Sequence, residues 1–483
     1  MIVAGEALLG PDLAHAPGAA LRLDGDAIAA IASIAAIDTG ASGTAGPRRL
    51  VMPALANAHD HARPLSLTSF GAAFLPLETW LPRSILATPP EPYLAAAAPL
   101  ARAARAGCAA VMVHYTRPSG AMPLLDEAGE VARAARDVGV RLAFALAVRD
   151  IHPLVYGPEE EVLAGLPAAL RREIEAAFLR PGMPPHAYIA LTEAIAAAIE
   201  GPTVSVQFGP AGVQWCSRPL LEAIAERSAA TGRRVHMHLL ETRYQRDWAR
   251  REFPQGIVTY LREIGLLSPR LTLAHATYAD EAERAMIAEA GATIVTNFSS
   301  NLHLRSGLGP IREARAQGCR VCVGLDGLAF DEDDDMLREM RLVQAVHGPW
   351  GFDGPDDRRR FLVEIVAAGR AALGAPGDGA LAPGAPADLL VLDLDALDRD
   401  AILPVAPLDL VFARATAAHV REVVVAGRRI VAEGRVTGLD LPAAEAELRA
   451  RYRASVPHHP LLRAWPRYEA ALRDWYARRI GCG

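Results

Sequence analysis

Residues 51–64 read VMPALANAHDHARP, an apolar run that ends in two histidines separated by one residue. Alternation along a β-strand places His59 and His61 on one face and Asp60 on the other. The two imidazoles then converge, which is the arrangement that a metal ion needs. Paired histidines also occur on ordinary half-buried strands, so this pair alone is weak evidence for a metal and the other strand ends must decide.

A strand-then-helix pattern repeats from residue 50 to residue 373. Each unit is a short apolar run followed by a stretch rich in Ala, Leu, Arg and Glu, which is typical of βα alternation. We predict eight parallel strands at residues 50–58, 109–114, 140–147, 203–208, 234–239, 271–275, 292–297 and 320–325. Six helices are predicted at residues 91–106, 124–138, 218–231, 280–290, 332–347 and 356–373. This α/β pattern fits a (β/α)8 TIM barrel with insertions. A doubly wound sheet is the alternative, although no glycine-rich phosphate motif follows the first strand.

The two flanks of this region alternate as strands do. Residues 1–49 and 386–436 are each too short to bury a core of their own, so we predict that they pair as a composite β-sandwich. The barrel, residues 50–385, is then inserted into that sandwich. Residues 437–483 have a helical pattern and form a predicted tail, and residues 159–200 are predicted to add two helices to the barrel.

Composition and charge narrow the class of protein. The 483 residues are 51% hydrophobic and 22% charged, with a formal net charge of −6, which is typical of a folded globular protein. No basic stripe with interleaved aromatic residues is present, so we expect no nucleic-acid partner. The apolar runs are shorter than the roughly 20 residues of a membrane span, so we expect no membrane partner and a cytoplasmic location. We also expect a homo-oligomer. The five cysteines suggest no disulfide framework.

Several predicted strands end in side chains that bind metals or move protons. His238 and Glu241 follow the fifth strand, His275 ends the sixth, and Asp326 follows the eighth. The carboxyl ends of barrel strands meet at one mouth, where barrel active sites occur. Together with His59 and His61, these residues predict a metal-dependent active site.

These segments resemble motifs of the amidohydrolase superfamily. VMPALANAHDHARP, HMHLLET, LTLAHA and VGLDGLAFDEDDDM are similar to its first-, fifth-, sixth- and eighth-strand motifs, respectively. NFSSNLHLRSGLGP and GALAPGAPADLLVLD resemble further signatures of its branch of cytosine, guanine, triazine and S-adenosylhomocysteine deaminases. The resemblance covers almost the whole chain before the tail.

The resemblance implies a ligand set and two further catalytic residues. The implied metal ligands are His59, His61, His238 and Asp326. Glu241 becomes the proton shuttle, and His275 becomes an electrostatic partner of the attacking water or, in members with two metals, a second-metal ligand.

The number of metals follows from an absent residue type. Many binuclear members bridge their metals with a carboxylated lysine at the end of the fourth strand, but all 50 basic residues of this chain are arginines. The fourth strand, residues 203–208, also lacks a Glu or Cys that could replace such a lysine. We therefore expect one divalent metal per chain. Zn²⁺ is the first candidate and Fe²⁺ the second, because three imidazoles and a carboxylate suit both ions.

The implied reaction is hydrolytic deamination. A metal-dependent aminohydrolase would remove ammonia or an amine from a small nitrogen heterocycle, such as a pyrimidine, a purine base or a triazine. Asp326 would take a proton from the attacking water, and Glu241 would protonate the ring nitrogen and the leaving amine. Two alternatives remain: a cyclic-amide hydrolase that opens an imidazolone-like ring, and a non-catalytic scaffold. A scaffold would have no need of the ligands or of Glu241.

Four residues are candidate substrate contacts. Glu78 and Trp80, in the segment PLETWL, resemble a substrate-lining segment of the same branch, although Trp80 could equally pack in the core. His114 and Gln207 lie at the ends of the second and fourth strands, where each could contact substrate or make ordinary internal hydrogen bonds.

Two neighbouring features are better explained by structure than by chemistry. His236 lies one pleat below His238, so we predict interior packing or support of the metal ligands. The acidic run at residues 331–335 is typical of a helix start, where the helix dipole favours negative charge.

The turn after the fourth strand departs from one branch of the superfamily. Nucleoside-acting members tend to carry a His in this turn, whereas this chain has Ala211. Adenosine-type substrates are therefore in doubt.

Overall fold

The computed structural model describes residues 2–33, 47–88, 91–352 and 354–479. Residues 34–46 of the predicted N-terminal flank and residues 480–483 of the predicted tail lie outside these ranges, as does Cys482.

The central sheet is the predicted barrel. Its eight parallel strands follow one another in chain order: β5 (Leu55–Asn57), β6 (Cys108–Tyr115), β7 (Arg141–Val148), β8 (Val204–Pro210), β9 (Val235–Leu239), β10 (Leu271–His275), β11 (Thr293–Thr296) and β12 (Arg320–Val323). The Ala58 N–H, just after β5, donates to the Val323 carbonyl in β12 at 3.0 Å. This bond joins the first strand to the last, so the (β/α)8 prediction is confirmed and the doubly wound alternative is excluded.

The flank strands form a second sheet. Hydrogen bonds connect eight strands in the order β16-β15-β14-β13-β4-β1-β2-β3. Their bounds are β1 (Ile2–Leu9), β2 (Ala14–Asp24), β3 (Ala27–Ser33), β4 (Arg49–Pro53), β13 (Leu389–Asp393), β14 (Val420–Val425), β15 (Arg428–Ala432) and β16 (Arg435–Val436). The predicted pairing of the two flanks is confirmed. They form one continuous sheet, because β4 pairs with β1 on one edge and with β13 on the other.

The first predicted strand, residues 50–58, differs from the structure. It divides at Ala54 into β4, which belongs to the flank sheet, and β5, which belongs to the barrel. Pro53 ends β4 and has no N–H with which to extend a ladder. One apolar run therefore serves two sheets and fixes the flank sheet to the base of the barrel's first strand.

Helices cover the outside of the barrel and build its mouth. Those before β9 are α1 (Leu77–Arg83), α2 (Pro92–Arg105), α3 (Leu124–Val138), α4 (Glu160–Leu163), α5 (Ala168–Phe178), α6 (Pro185–Ile199) and α7 (Arg218–Thr231). Those from β9 to β13 are α8 (Arg243–Glu252), α9 (Ile257–Glu263), α10 (Glu281–Glu289), α11 (Phe298–His303), α12 (Ile311–Ala316), α13 (Met336–His347) and α14 (Arg358–Leu373). The last four are α15 (Leu394–Leu397), α16 (Pro407–Arg414), α17 (Leu441–Ser455) and α18 (Leu461–Arg479).

The segment at residues 159–200 adds two helices to the barrel, as predicted. Of its helices, α6 packs against α3, α7 and β8, so it is a regular member of the outer ring. The addition is the short pair α4 and α5, which contacts α18 of the predicted helical tail. The division into domains at residues 1–49 with 386–436, 50–385 and 437–483 stays a prediction.

The helices of the described residues can be compared with the requirements of a membrane-spanning segment. None of their helices combines the length and the apolar character that crossing a bilayer requires.

A buried ion triad joins the two sheets. Asp388, just before β13, accepts hydrogen bonds from Arg141 at the start of β7 (2.8 Å) and from Arg370 in α14 (2.7 Å). The Asp388 and Arg370 side chains are both 1% exposed. Burial alone would raise the pKa of Asp388, but the two guanidinium groups outweigh it and lower that pKa. The carboxylate is thus held between two cations that have lost their water.

Replacing Asp388 by Ala is expected to lower the free energy of unfolding by about 3–5 kcal/mol, because two buried cations lose their partner. Denaturant unfolding followed by circular dichroism measures the change, with Asp474→Ala on the exposed face of α18 as the control. Since the folded pKa of Asp388 is depressed, its stabilisation is present above the carboxyl's ordinary pKa of about 3.9 and disappears as the pH falls below it. A variant as stable as the control at neutral pH would contradict this role.

Candidate active site

A cavity of about 190 Å³ opens at the carboxyl ends of the barrel strands. His61, His238, Glu241 and Asp326 line its floor. Its walls combine residues at the ends of β6 and β7 with residues from α1, α2, α5 and α18. The cavity therefore lies at the end of the barrel where the sequence predicts the site.

The four predicted metal ligands converge on this floor. The Asp326 Oδ1 lies 3.1 Å from His61 Nε2 and 3.6 Å from His59 Nε2. The His238 ring stacks on His61 with centroids 5.4 Å apart and lies edge-on to His59 at 4.8 Å. His59, 0% exposed, has no hydrogen-bond partner for its Nε2 among the described residues.

A hydrogen bond at Nδ1 fixes the ring orientation of each of the three histidines among the predicted ligands. His61 Nδ1 donates to the carbonyl of His114 at 2.8 Å, and His238 Nδ1 donates to the carbonyl of Ala211 at 2.7 Å. His59 Nδ1 shares a 2.7 Å hydrogen bond with His236 Nε2. A carbonyl can only accept, so the Nε2 atoms of His61 and His238 keep a lone pair for a metal, and partners of this kind orient metal-binding histidines generally.

The buried histidines favour the neutral form that binds a cation. Burial lowers the pKa of His59 well below its ordinary value and that of His238 to about 3, and the neighbouring histidines add to both shifts. Neutral imidazole is the form that binds a metal. With a carboxylate beside the three rings, the donors fit a divalent ion such as Zn²⁺.

The Asp326 carboxylate is held in its ionised form. Burial alone would raise the pKa of Asp326, but Arg63 and the histidines His59 and His61 outweigh it and hold that pKa well below its usual range. Ser300 Oγ donates to Oδ2 at 2.5 Å, and Arg63 lies 3.3 Å from Oδ1. The Asp326 backbone has a φ of 53°, a strained conformation that is common at functional sites.

Glu241 lies at the edge of the histidine cluster. Its Oε2 is 3.8 Å from His275 Nε2, and its Oε1 accepts from Ser306 Oγ at 3.4 Å. Burial raises the pKa of Glu241 well above its ordinary value, and Asp326 raises it further. His275 Nδ1 donates to the side-chain oxygen of Asn301 at 2.9 Å, which leaves Nε2 facing Glu241.

Asp60 points away from the histidine cluster and stabilises the mouth. Its Oδ1 accepts from the backbone N–H groups of His61 and Ala62, and its Oδ2 accepts from the Asn57 side chain and from the Gly327 N–H. These bonds connect the ends of the first and eighth strands and so fix His61 relative to the loop that carries Asp326.

Glu78 and Trp80 of α1 both line the cavity, as the sequence predicts for substrate contacts. Glu78 Oε1 accepts from Thr242 Oγ1 at 2.5 Å, while its Oε2 has no hydrogen-bond partner among the described residues. Burial raises the pKa of Glu78 to about 7. The Trp80 ring lies under the Arg63 guanidinium at 4.8 Å.

His114 and Gln207 do not line the cavity. His114 is fully buried behind His61 and His238, and its Nε2 donates to the Gly209 carbonyl at 3.1 Å. Gln207 points into the barrel interior, where its amide donates to the Ala372 carbonyl at 2.9 Å. Both side chains make internal hydrogen bonds, which is the second of the two alternatives that the sequence left open for them.

The two structural explanations offered from sequence agree with the geometry. His236 stacks on His59 with ring planes 13° apart and supports it from below. In the acidic run, Asp335 caps the N-terminus of α13 and Arg338 lies 2.9 Å from Asp333.

Other polar side chains that line the cavity carry no clear signal in the local sequence. Arg63 lies two residues after His61, and its position in the same motif could have indicated that it lies at the site. Arg117 lies two residues after β6 and Arg149 directly after β7, so they too lie at strand ends. Tyr476 reaches the cavity from α18, and nothing in its local sequence marks it.

The chain is similar in sequence to two curated deaminases. A 5-methylthioadenosine/S-adenosylhomocysteine deaminase of Nitratidesulfovibrio vulgaris is 32% identical over 406 residues, covering 83% of this chain and 84% of the relative. An 8-oxoguanine deaminase of Pseudomonas aeruginosa is 30% identical over 437 residues, covering 84% and 87%.

Solved structures match the fold. An adenosine deaminase from Xanthomonas campestris with bound zinc superposes with a TM-score of 0.77 at 23% identity, covering 95% of this chain and 98% of that one. Atrazine chlorohydrolase from Arthrobacter aurescens, complexed with zinc, has a TM-score of 0.73 at 23% identity, with coverage of 93% and 99%. The sequence pattern of the amidohydrolase family matches residues 50–430, more than half of the chain. The chain therefore belongs to the amidohydrolase family.

Proposed function

We propose that this protein is a hydrolytic deaminase that removes ammonia or an amine from a small nitrogen heterocycle, with one divalent metal, Zn²⁺ first, held by His59, His61, His238 and Asp326. The observation that carries the proposal is the position of Glu241, a buried carboxyl that lies 3.8 Å from His275 and lines the same cavity as His61, His238 and Asp326. The membership of the family and the deaminase names of the two relatives support a hydrolase that acts on carbon–nitrogen bonds.

A divalent metal, when bound, supplies Lewis-acid chemistry that lowers the pKa of water to about 7. The Asp326 Oδ1 faces the same point as the Nε2 atoms of His59 and His61, so it accepts the proton of the attacking water. His275 Nε2 accepts a hydrogen bond from that water and thereby orients it.

Glu241 performs the second proton transfer. Burial raises its pKa, which favours the protonated carboxyl, and its side chain lines the cavity, so it can protonate a ring nitrogen and afterwards the leaving amine. Ring-nitrogen protonation is what makes the amino-bearing carbon electrophilic. This division of labour between Asp326 and Glu241 is the reason that deamination is favoured over opening of a cyclic amide.

The reaction class can be decided from the product. Zinc-loaded protein is incubated with a panel of aminopyrimidines, aminopurines and aminotriazines, and ammonia release is measured together with the mass of the product. We expect ammonia and a product in which NH₂ has become OH, with the ring intact. A product heavier by one water, formed without nitrogen release on the best substrate, would show that the protein opens a cyclic amide instead. The Glu241→Gln protein is the control for background hydrolysis.

A further inference from the structure

Residues 297–306, which follow β11 and include α11, contact the acid–base groups of the proposed reaction. Ser300 Oγ donates to Asp326 Oδ2 at 2.5 Å. Asn301 Oδ1 accepts a hydrogen bond from His275 Nδ1 at 2.9 Å. Two side chains of this segment therefore orient the carboxylate that accepts a proton from the attacking water and the histidine that orients that water.

The same segment also contacts the third acid–base group. Ser306 Oγ donates to Glu241 Oε1 at 3.4 Å. The Ser306 N–H donates to the Asn301 carbonyl at 2.8 Å, so these two residues belong to one hydrogen-bonded turn. The three partners lie at the ends of β9, β10 and β12. Their positions relative to one another thus depend on a single segment that bonds to all of them.

A buried glutamate of α13 anchors this segment. Glu339 is 1% exposed. Its Oε1 accepts from the Ser299 N–H at 2.9 Å, and its Oε2 accepts from the Ser299 hydroxyl. Ser299 is itself fully buried in α11, directly before Ser300. Both carboxyl oxygens of Glu339 therefore hold the residue that precedes the first contact to the acid–base groups.

Glu339 has no part in the proposed chemistry and no ionic partner. It lies outside the cavity, and no salt bridge to it is present within residues 2–33, 47–88, 91–352 and 354–479, where the adjacent Arg338 pairs with Asp333 at 2.9 Å. Burial raises the pKa of Glu339 to about 7, which reflects the cost of removing a carboxylate from water. The hydrogen bonds to Ser299 are what distinguish Glu339 from an apolar residue at this position.

We propose that Glu339 is a positioning residue, which holds residues 297–306 so that the acid–base groups they contact keep the alignment that proton transfer needs. This rests on the proposed deaminase function and adds to it a residue that touches neither metal nor substrate. Reacting groups tolerate little displacement, since a shift of about 1 Å caused by a distant change can lower the rate by about 10²-fold. Glu339 acts through Ser299 and takes part in no chemical step.

Replacing Glu339 by Ala tests this role by steady-state kinetics. The Ser299 N–H and hydroxyl lose their acceptors, so we expect kcat to fall by about 10–100-fold with little change in KM. Rates are expressed per bound zinc, which elemental analysis measures, because displacement of Asp326 also weakens metal binding. Ser299→Ala removes only the hydroxyl bond and should lower kcat by less, which provides the test if Glu339→Ala does not fold.

Two further variants separate positioning from a general loss of stability. Glu339→Gln keeps an oxygen for the Ser299 N–H and an amide that donates to the Ser299 hydroxyl, so it should retain most of the parent's kcat. Glu283→Ala removes a comparable buried glutamate, which accepts from the Asp280 N–H at 2.9 Å and pairs with Arg246 outside the cavity. The Glu283→Ala variant should lose stability but keep the parent's kcat per bound zinc.

NMR of zinc-loaded protein that is isotope-labelled at its histidine nitrogens gives a readout that does not depend on turnover. The hydrogen bond to Asn301 holds the proton of His275 on Nδ1, so we expect signals of a single tautomer, assigned with a His275→Gln variant. In Glu339→Ala the Asn301 side chain is displaced, so the His275 signals should shift or broaden. In Glu339→Gln and Glu283→Ala they should match those of the parent protein.

Two results would overturn the inference: a Glu339→Ala protein with the same kcat per bound zinc as Glu283→Ala, or His275 signals in it that match those of the parent. A Glu339→Gln protein as slow as Glu339→Ala would also contradict it, because the effect would then follow the charge and not the hydrogen bonds. Absence of ammonia release from every probe would count against the deaminase function alone, since the His275 signals test the positioning role independently.

Discussion

Replacing Glu241 by Gln is expected to lower turnover by a factor of about 10² to 10⁴ and to leave the metal content unchanged. Glutamine keeps the shape of the side chain and can still contact Ser306 and His275, but it cannot deliver a proton to a ring nitrogen. Because Glu241 is not among the residues that we assign to the metal, zinc measured by elemental analysis should equal that of the parent protein. Initial rates of ammonia release on the best substrate give the turnover.

The matched control for this change is Glu283→Gln. Glu283 is also a buried glutamate, 4% exposed, but it caps α10 and pairs with Arg246 at 2.7 Å, outside the cavity. The Glu283→Gln variant should be somewhat less stable than the parent protein but should keep the parent's turnover per folded molecule. If Glu241→Gln turned over as fast as Glu283→Gln, Glu241 would not be the proton shuttle.

Replacing His238 by Ala is expected to remove most of the metal and, with it, nearly all activity. We expect the parent protein to hold about one equivalent of zinc or iron per chain, because the assigned ligands lie together on the cavity floor and no lysine is available to bridge a second ion. Loss of a residue that only orients a metal ligand already lowers metal affinity by about 10–100-fold, so loss of a ligand itself should lower it at least as much. Elemental analysis of gently purified protein measures the content directly.

His347→Ala is the control, since His347 is buried in α13 away from the cavity. It should keep the parent's metal. Two equivalents in the parent protein, or full metal retention in His238→Ala, would contradict the assignment of a single ion to this ligand set.

Local sequence predicted the periodic parts of the fold closely. The strand at residues 271–275 and the helices at 124–138 and 218–231 have the predicted bounds, and each of these helices ends at a glycine with positive φ, Gly139 or Gly232. The division of residues 50–58 between two sheets was not predicted. Both halves are equally apolar, and only their partners in space, β13 and β6, distinguish them.

The site also contains residues that local sequence could predict and residues that it could not. That His59, His61, His238 and Asp326 lie together was predictable, because strand ends of a barrel meet at one place and a residue's position in its own strand determines where it lies. Arg149 also follows a strand end, but in a chain with 50 arginines an arginine there carries no signal. Position in a strand does not always determine what a side chain contacts. Gln207 lies near the end of its strand, yet its side chain donates a hydrogen bond to the Ala372 carbonyl in α14.

Tyr476 makes the binding cavity depend on a helix that is synthesised late. Asp326 emerges from the ribosome 150 residues before Tyr476, which at the usual rates of translation is an interval of roughly 10–30 s. During that interval a nascent chain can assemble all its assigned metal ligands while the wall that α18 provides is still missing. Such a chain has its catalytic groups in an open mouth filled with water, so metal uptake can precede the closed cavity in which substrate is bound. Ribosome-associated chains stalled before residue 461 are thus the natural material in which to observe metal uptake without a completed cavity.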